Sequence, residues 1–229
     1  MSRLKALISW SSGKDSAFAL HEVRRAGEFD VVGALTTVTE TFGRVSIHGV
    51  RQEILQAQCE AARLPQRIVP IPYPCPNEIY EARMGEAVAQ AVADGVTHMI
   101  FGDLFLADIR AYREQMLAAT PIRPVFPLWD EPTDRLAVEM IDAGVRAVLT
   151  CVDPQQLAPD FAGRAFDAEL LAALPPSADP CGENGEFHTF VWDAPGFSSP
   201  IAVELGEVVT RDGFVFADLL PAPLTFWRR

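Results

Sequence analysis

The chain has 229 residues, 49% of them hydrophobic, with a formal net charge of -12 and a pI near 4.7. That length suits one large domain, or a domain with a small appendage, and the apolar content is ample for a sizeable core. The acidity argues against a nucleic-acid partner, and no run approaches the roughly 20 apolar residues of a membrane span. The predicted elements alternate along the first two thirds. LKALISW reads as a strand and precedes a helix ending at Gly27; VVGALTTV precedes the helical RQEILQAQCEAARL. RIVPIPY leads to NEIYEARMGEAVAQAVADG, and THMIFGDL to ADIRAYREQMLAAT. The proline-rich PIRPVFPLW then leads to TDRLAVEMIDAG and VRAVLTCV. Strands apolar nearly throughout, alternating with helices at this spacing, predict a doubly wound, mostly parallel α/β sheet covered on both faces.

After Val152 the texture changes. One helix sits between proline-rich joints, the polar CGENGEFHTFVWDAPGF follows, and two β-like runs flank Arg211-Asp212-Gly213. Asp-Gly between such runs signals a hairpin. The expected division is an α/β core over 1–150 and a small α+β appendage over 151–229. The N-terminal MSRLKALISW enters a strand-like run with no signal-peptide pattern, which predicts a cytoplasmic protein. Cys59, Cys75, Cys151 and Cys181 form no C-x-x-C pair and read as free thiols.

The chemistry concentrates in the turn after the first strand, Ser9-Trp10-Ser11-Ser12-Gly13-Lys14-Asp15-Ser16. Small residues, hydroxyls and a lysine at a strand-to-helix switch suit an anion nest at a helix N-terminus. The Walker A pattern fails at both ends: Ile8 stands where its first glycine belongs, and Asp15 follows Lys14. The dinucleotide fingerprint fails too, because Gly13 is the one glycine of the turn.

Ser11-Ser12-Gly13-Lys14-Asp15-Ser16 resembles the loop of the PP-loop, or N-type, ATP pyrophosphatases, with a HUP-like sheet. The departure is Ser12, where glycine is usual; serine is small enough there unless the position needs a positive φ. Further motifs narrow the resemblance. They are Ser46-Ile47-His48, Gly102-Asp103-Leu104 followed by Arg110 and Glu114, Pro127-Leu128-Trp129, and Cys181-Gly182-Glu183-Asn184-Gly185-Glu186-Phe187-His188-Thr189. In this order, over residues 4 to 220, they resemble the diphthine–ammonia ligase family.

That resemblance implies an ATP-dependent ligase with magnesium. It would adenylate a carboxylate on a small molecule or modified protein, release pyrophosphate, and amidate with ammonia. ATP would be held by Ser9, Ser11, Ser12, Gly13, Lys14, Asp15 and Ser16, by Thr36 and Thr37 on the adenine side, and by His48, Gly102 and Asp103. Asp15 and Asp103 are the implied magnesium ligands. Arg110, Glu114, Glu183, Glu186, His188 and Thr189 would face the acceptor, and Lys14, Asp15, Glu183, Glu186 and His188 would carry catalysis. Plainer readings stand beside these: a surface ion pair for Arg110 and Glu114, a helix cap for Asp103, and loop scaffolding for 183–189. Two other functions fit the same sheet, sulfur transfer to RNA and non-catalytic ATP sensing. A homodimer is compatible with either an enzyme or a sensor.

Overall fold

The computed structural model describes residues 3–222, so the expected C-terminal part is described as far as 222. The main sheet contains β1 (Leu4–Ser9), β2 (Phe29–Thr39), β4 (Gln66–Ile71), β5 (His98–Ile100) and β6 (Arg123–Val125). They lie in the order β4-β2-β1-β5-β6, every pairing parallel. A two-residue strand, β3 (Arg44–Val45), runs antiparallel to β2 at Val38 and Thr39, beyond the point where β1 stops.

Continuously apolar strands feed two cores by alternation. On β1, Ala6 and Ile8 join the core with α1 (Lys14–Ala26), α2 (Gln52–Ala61) and α5 (Thr133–Ala143). Leu7, between them, joins the opposite core with α3 (Asn77–Ala93) and α4 (Ala107–Leu117). The doubly wound, mostly parallel α/β reading is borne out. Helix α1 stops where expected, because Gly27 adopts φ 74 and its N–H returns to the Val23 carbonyl.

VRAVLTCV does not extend this sheet. As β7 (Arg146–Val152) it lies inside a second, antiparallel sheet of order β8-β7-β10-β9. The remaining strands are β8 (Phe187–Asp193), β9 (Val203–Arg211) and β10 (Phe214–Pro221). Burial of β7 is continuous after Arg146, and full burial gives an antiparallel strand the same periodicity as a parallel one. Its partners β8 and β10 come later in the chain, so nothing local distinguishes the two cases. Strand β8 itself was hidden inside the polar 181–197 segment. The hairpin is as expected: Arg211 pairs with Phe214 around Asp212 (φ 52) and Gly213 (φ 86), both positive as a type I′ turn requires. The second sheet shares the α1–α2 core through Val148, Phe187, Phe190 and Val215, which brings the tail against the first loop. Among the described residues no helix is long and apolar enough to cross a membrane.

Candidate active site

Strand order reverses between β1 and β5, where open α/β sheets form a crevice at the carboxyl ends of their strands. A cleft of about 870 Å³ opens there. Ser9, Ser11, Lys14, Asp15, Ser16, Thr37, His48, Gly102, Asp103, Glu183, His188 and Thr189 all line it, so residues from both ends of the chain meet at one wall.

The loop is held from below by a residue that sequence reasoning missed. Gln58, fully buried in α2, accepts from the Trp10 indole at 2.8 Å. Its amide donates to the Ser12 carbonyl at 3.0 Å and the Val191 carbonyl at 2.6 Å. Above it, the Gly13 N–H donates to Ser11 Oγ at 3.2 Å, and the Ser16 hydroxyl donates to the Gly13 carbonyl at 3.0 Å. Ser12 meets the condition that counts against serine: φ is 72, with its hydroxyl buried and without a hydrogen-bond partner. A left-handed L-residue is strained, and glycine is not. Ser12→Gly is therefore expected to stabilise the protein by about 1 kcal/mol, read as a higher urea midpoint at unchanged slope.

Gly102, two residues past β5, lies against the start of α1. A Cβ there would fall 2.8 Å from the Asp15 carbonyl carbon and 2.9 Å from the Ser16 nitrogen. Both are backbone atoms and cannot rotate away. Gly102→Ala is expected to cost about 2 kcal/mol by overpacking and to weaken nucleotide binding, measured by denaturation and by calorimetric titration with an ATP analogue.

Lys14 is 2% exposed. Its ammonium lies 3.0 Å from both Asp15 carboxylate oxygens, donates to the Cys181 carbonyl, and sits over the Phe166 and Phe187 rings at 5.6 and 5.5 Å. Burial opposes the charge, but Asp15 and the other nearby acidic groups outweigh it and hold the Lys14 pKa above its ordinary value. The Lys14 amide donates to Thr189 Oγ1 at 3.1 Å, so backbone and side chain both tie the loop to the tail.

The tail segment divides its acids. Glu186, 1% exposed, accepts from the Asp179 N–H at 2.8 Å and the Asn184 amide at 3.1 Å. It lies behind the cleft and braces the loop. Asp179 accepts in turn from the N–H groups of Cys181 (2.9 Å) and Glu183 (3.2 Å). Glu183 instead faces the cleft and accepts from the Leu104 N–H at 2.8 Å. Burial pushes its pKa up to about 7, with Asp15 and Asp103 adding to the shift while the Leu104 bond and Lys14 oppose it.

His48 and His188 lie with ring centres 4.8 Å apart. His48 Nδ1 is 2.9 Å from the Thr189 carbonyl, which can only accept, so Nδ1 carries the proton and Nε2 is bare. Burial lowers the His48 pKa to about 4 against the Thr189 bond, with Lys14 adding to the drop; burial, His48 and Lys14 lower His188 too. A depressed histidine lets the unfolded chain take the proton first, so stability present above pH 6.5 drains as pH falls from 6.5 toward 4. The loss expected from His48 over that range is on the order of 3 kcal/mol. Glu183, being raised, acts oppositely between its unfolded value of 4.5 and about 7. Subtracting the pH profile of His48→Asn from that of the native protein is expected to leave the histidine slope alone.

Other sequence-expected residues fall elsewhere. Thr36 is buried, its hydroxyl without a hydrogen bond, and Thr37 takes the cleft-facing position of the pair. Ser12 and Gly13 lie beneath the cleft lining. Arg110 and Glu114 form an exposed ion pair at 2.8 Å, with Arg110 stacked over Phe126 and Trp129 at 4.8 and 4.6 Å. The arginine of α4 that does enter, beside Ile109 and Tyr112, is Arg113, 3.5 Å from Asp103 and over the Phe101 ring. One helical turn carries both arginines, and only packing chooses between them. Tyr80 and Met84 of α3 were missed as well; they supply an apolar wall that reads in sequence as ordinary helix.

Comparison with known proteins finds matches over part of the chain. The family model described as the diphthamide synthase C-terminal domain matches residues 132–216, which span α5 to β10. The chain is 32% identical over 118 residues to the Bos taurus diphthine--ammonia ligase, covering 49% of this chain and 44% of that protein. It is 32% identical over 119 residues to the Danio rerio ligase and 31% over 118 residues to the Homo sapiens one, covering 49% of this chain each time and 46% and 44% of those proteins. The chain thus spans less than half the length of the curated relatives it matches. By these matches the chain is similar, over part of its length, to diphthine–ammonia ligases.

Proposed function

We propose that the protein is an ATP-dependent amide ligase in two parts, an ATP-binding part over 1–150 and a substrate-binding part over 151–229. A carboxylate of the acceptor attacks the α-phosphate of ATP, giving an acyl adenylate and pyrophosphate. Ammonia then adds at the acyl carbon and AMP leaves. The observation that best supports this reading is the joint between loop and tail: Lys14 donates to Thr189 and to the Cys181 carbonyl while Glu183 sits in the same cleft.

In this reading Lys14 neutralises charge building on the departing pyrophosphate, and Ser11 and Ser16 donate hydroxyls to its oxygens. Thr37, Tyr80 and Met84 border the adenine side. Glu183, poised near neutrality, removes a proton from the incoming amine. His48 and His188, both uncharged, border the acyl group without repelling ammonium. Arg113 replaces Arg110 as the cation able to grip an anion in the cleft.

Among the described residues no three His, Cys, Asp or Glu side chains are grouped as a metal cage. Magnesium commonly takes only one or two carboxylates beside substrate phosphates. Asp15 and Asp103 suit that role: burial raises the Asp103 pKa, Arg113 opposes and Asp15 adds to it, so a hard cation would relieve the crowding. When bound, the ion would screen the phosphate charge. Sulfur transfer has less support. Burial pushes the thiols of Cys59 and Cys151 up to about 12 and raises that of Cys181, whose hydrogen goes to the Thr133 carbonyl.

The test is release of pyrophosphate and AMP from ATP with magnesium, in the presence of ammonium and a fractionated pool of cellular carboxylates. Release that rises with both additions is expected. Tight ATP binding with no release in any fraction would turn the assignment to the sensor.

A further inference from the structure

A second cavity, of about 540 Å³, adjoins the cleft. Thr39, Val45, Ile47, Tyr73 and His188 wall both spaces. The lining of the second cavity is rich in aromatic rings: Phe42 follows β2, and Phe214 and Phe216 come from the C-terminal hairpin. These are not spare core residues, for Phe42, Tyr73 and Phe214 are 38%, 49% and 37% exposed. The cations around them are already engaged. Arg44 is bound to Asp218 at 2.7 Å, and Arg211 lies over Phe42 and Phe216 at 4.6 and 5.0 Å. Asp153, Gln156, Asn184 and Asp212 add polar groups to the lining, and what the cavity offers a flat occupant is the ring surface that Arg211 leaves uncovered.

Between the two spaces the backbone is strained. Ile47 has φ 68, and the His48 N–H donates to the Ser46 carbonyl at 2.8 Å, closing a three-residue turn of the rare hand. A β-branched residue seldom adopts that conformation, and Ile47 is 66% exposed, so burial of its side chain does not offset the cost. Strain of this kind gathers at ligand clamps. The turn sets an apolar side chain where the two spaces meet, a boundary His188 also lines.

We propose that the second cavity is the acceptor pocket and takes the flat, ring-bearing body of a carboxylic acid. The acid's chain crosses the threshold at Ile47 so that its carboxylate enters the cleft near Lys14. Ring faces stack on Phe42 and Phe214, while an acid without a ring finds no partner there. This assignment rests on the adenylation reading, since it supplies the carboxylate that reading requires.

The test uses indole-3-acetate as probe and acetate as the ringless control, followed by saturation-transfer NMR with and without a non-hydrolysable ATP analogue. The ring protons of indole-3-acetate are expected to saturate in the native protein, and to keep doing so with the analogue bound. Acetate is expected to show no binding. The double variant Phe42→Ala, Phe214→Ala is expected to bind the probe about tenfold more weakly and the analogue unchanged. No binding, equal binding by the double variant, or displacement of the probe by the analogue would overturn the pocket assignment. Pyrophosphate release, measured separately, decides the adenylation reading, so the two failures are distinguishable.

Discussion

Lys14→Met is expected to abolish measurable pyrophosphate release, a loss of about a thousandfold if the ammonium stabilises the transferring phosphates as proposed. The same change is expected to lower stability by about 3 kcal/mol. Lys14 is 2% exposed and paired with Asp15 at 3.0 Å, so its removal leaves a largely buried carboxylate and the Cys181 carbonyl without their donor. A double-mutant cycle separates the two effects. Asp15→Asn removes the stranded charge, so Lys14→Met, Asp15→Asn is expected to be more stable than the sum of the single losses by at least about 1 kcal/mol, with activity still absent. Additive stabilities would show that the pair is not coupled. Near-native release by Lys14→Met would remove Lys14 from the chemistry altogether.

Glu183→Gln is expected to lower the turnover rate by a hundredfold or more while leaving the fold and ATP binding close to native. Glutamine keeps an oxygen for the Leu104 N–H, which Glu183 accepts at 2.8 Å, but cannot take a proton. The pH dependence carries the sharper signature. With a pKa pushed up to about 7, the carboxylate form is present above that value and is lost below it, so the native rate falls as pH drops through neutrality. At a fixed concentration of free ammonia, the variant is expected to lose that limb together with the rate. A variant that keeps the limb would assign it to another group, and Glu183 would then be scaffolding like Glu186.

The legibility of this site follows the range of the forces that build it. The turn after β1 is local: a strand, a run of small residues and a helix are set by contiguous sequence, so Ser11 to Ser16 could be read directly. The 181–189 segment could be recognised as a motif, yet the roles of its acids could not. Glu183 and Glu186 are three apart in the same polar run, and only the docking of β8 beside β7 turns one toward the cleft and the other into the loop. Arg110 and Arg113 make the same point on a helix. Their spacing allows either to face the cleft, and packing against Phe126 and Trp129 takes Arg110 away.

By itself, then, the sequence determined the alternation of strands and helices, the hairpin at Asp212-Gly213 and the strand-turn-helix that carries Ser11 to Ser16, because each rests on local periodicity or backbone preference. The tertiary structure alone decided that β7 belongs to the second sheet, that Gln58 supports the loop from beneath, and that an aromatic cavity opens beside the cleft. Each of those depends on partners tens of residues away, brought together by burial of the shared core, and no local pattern encodes that distance.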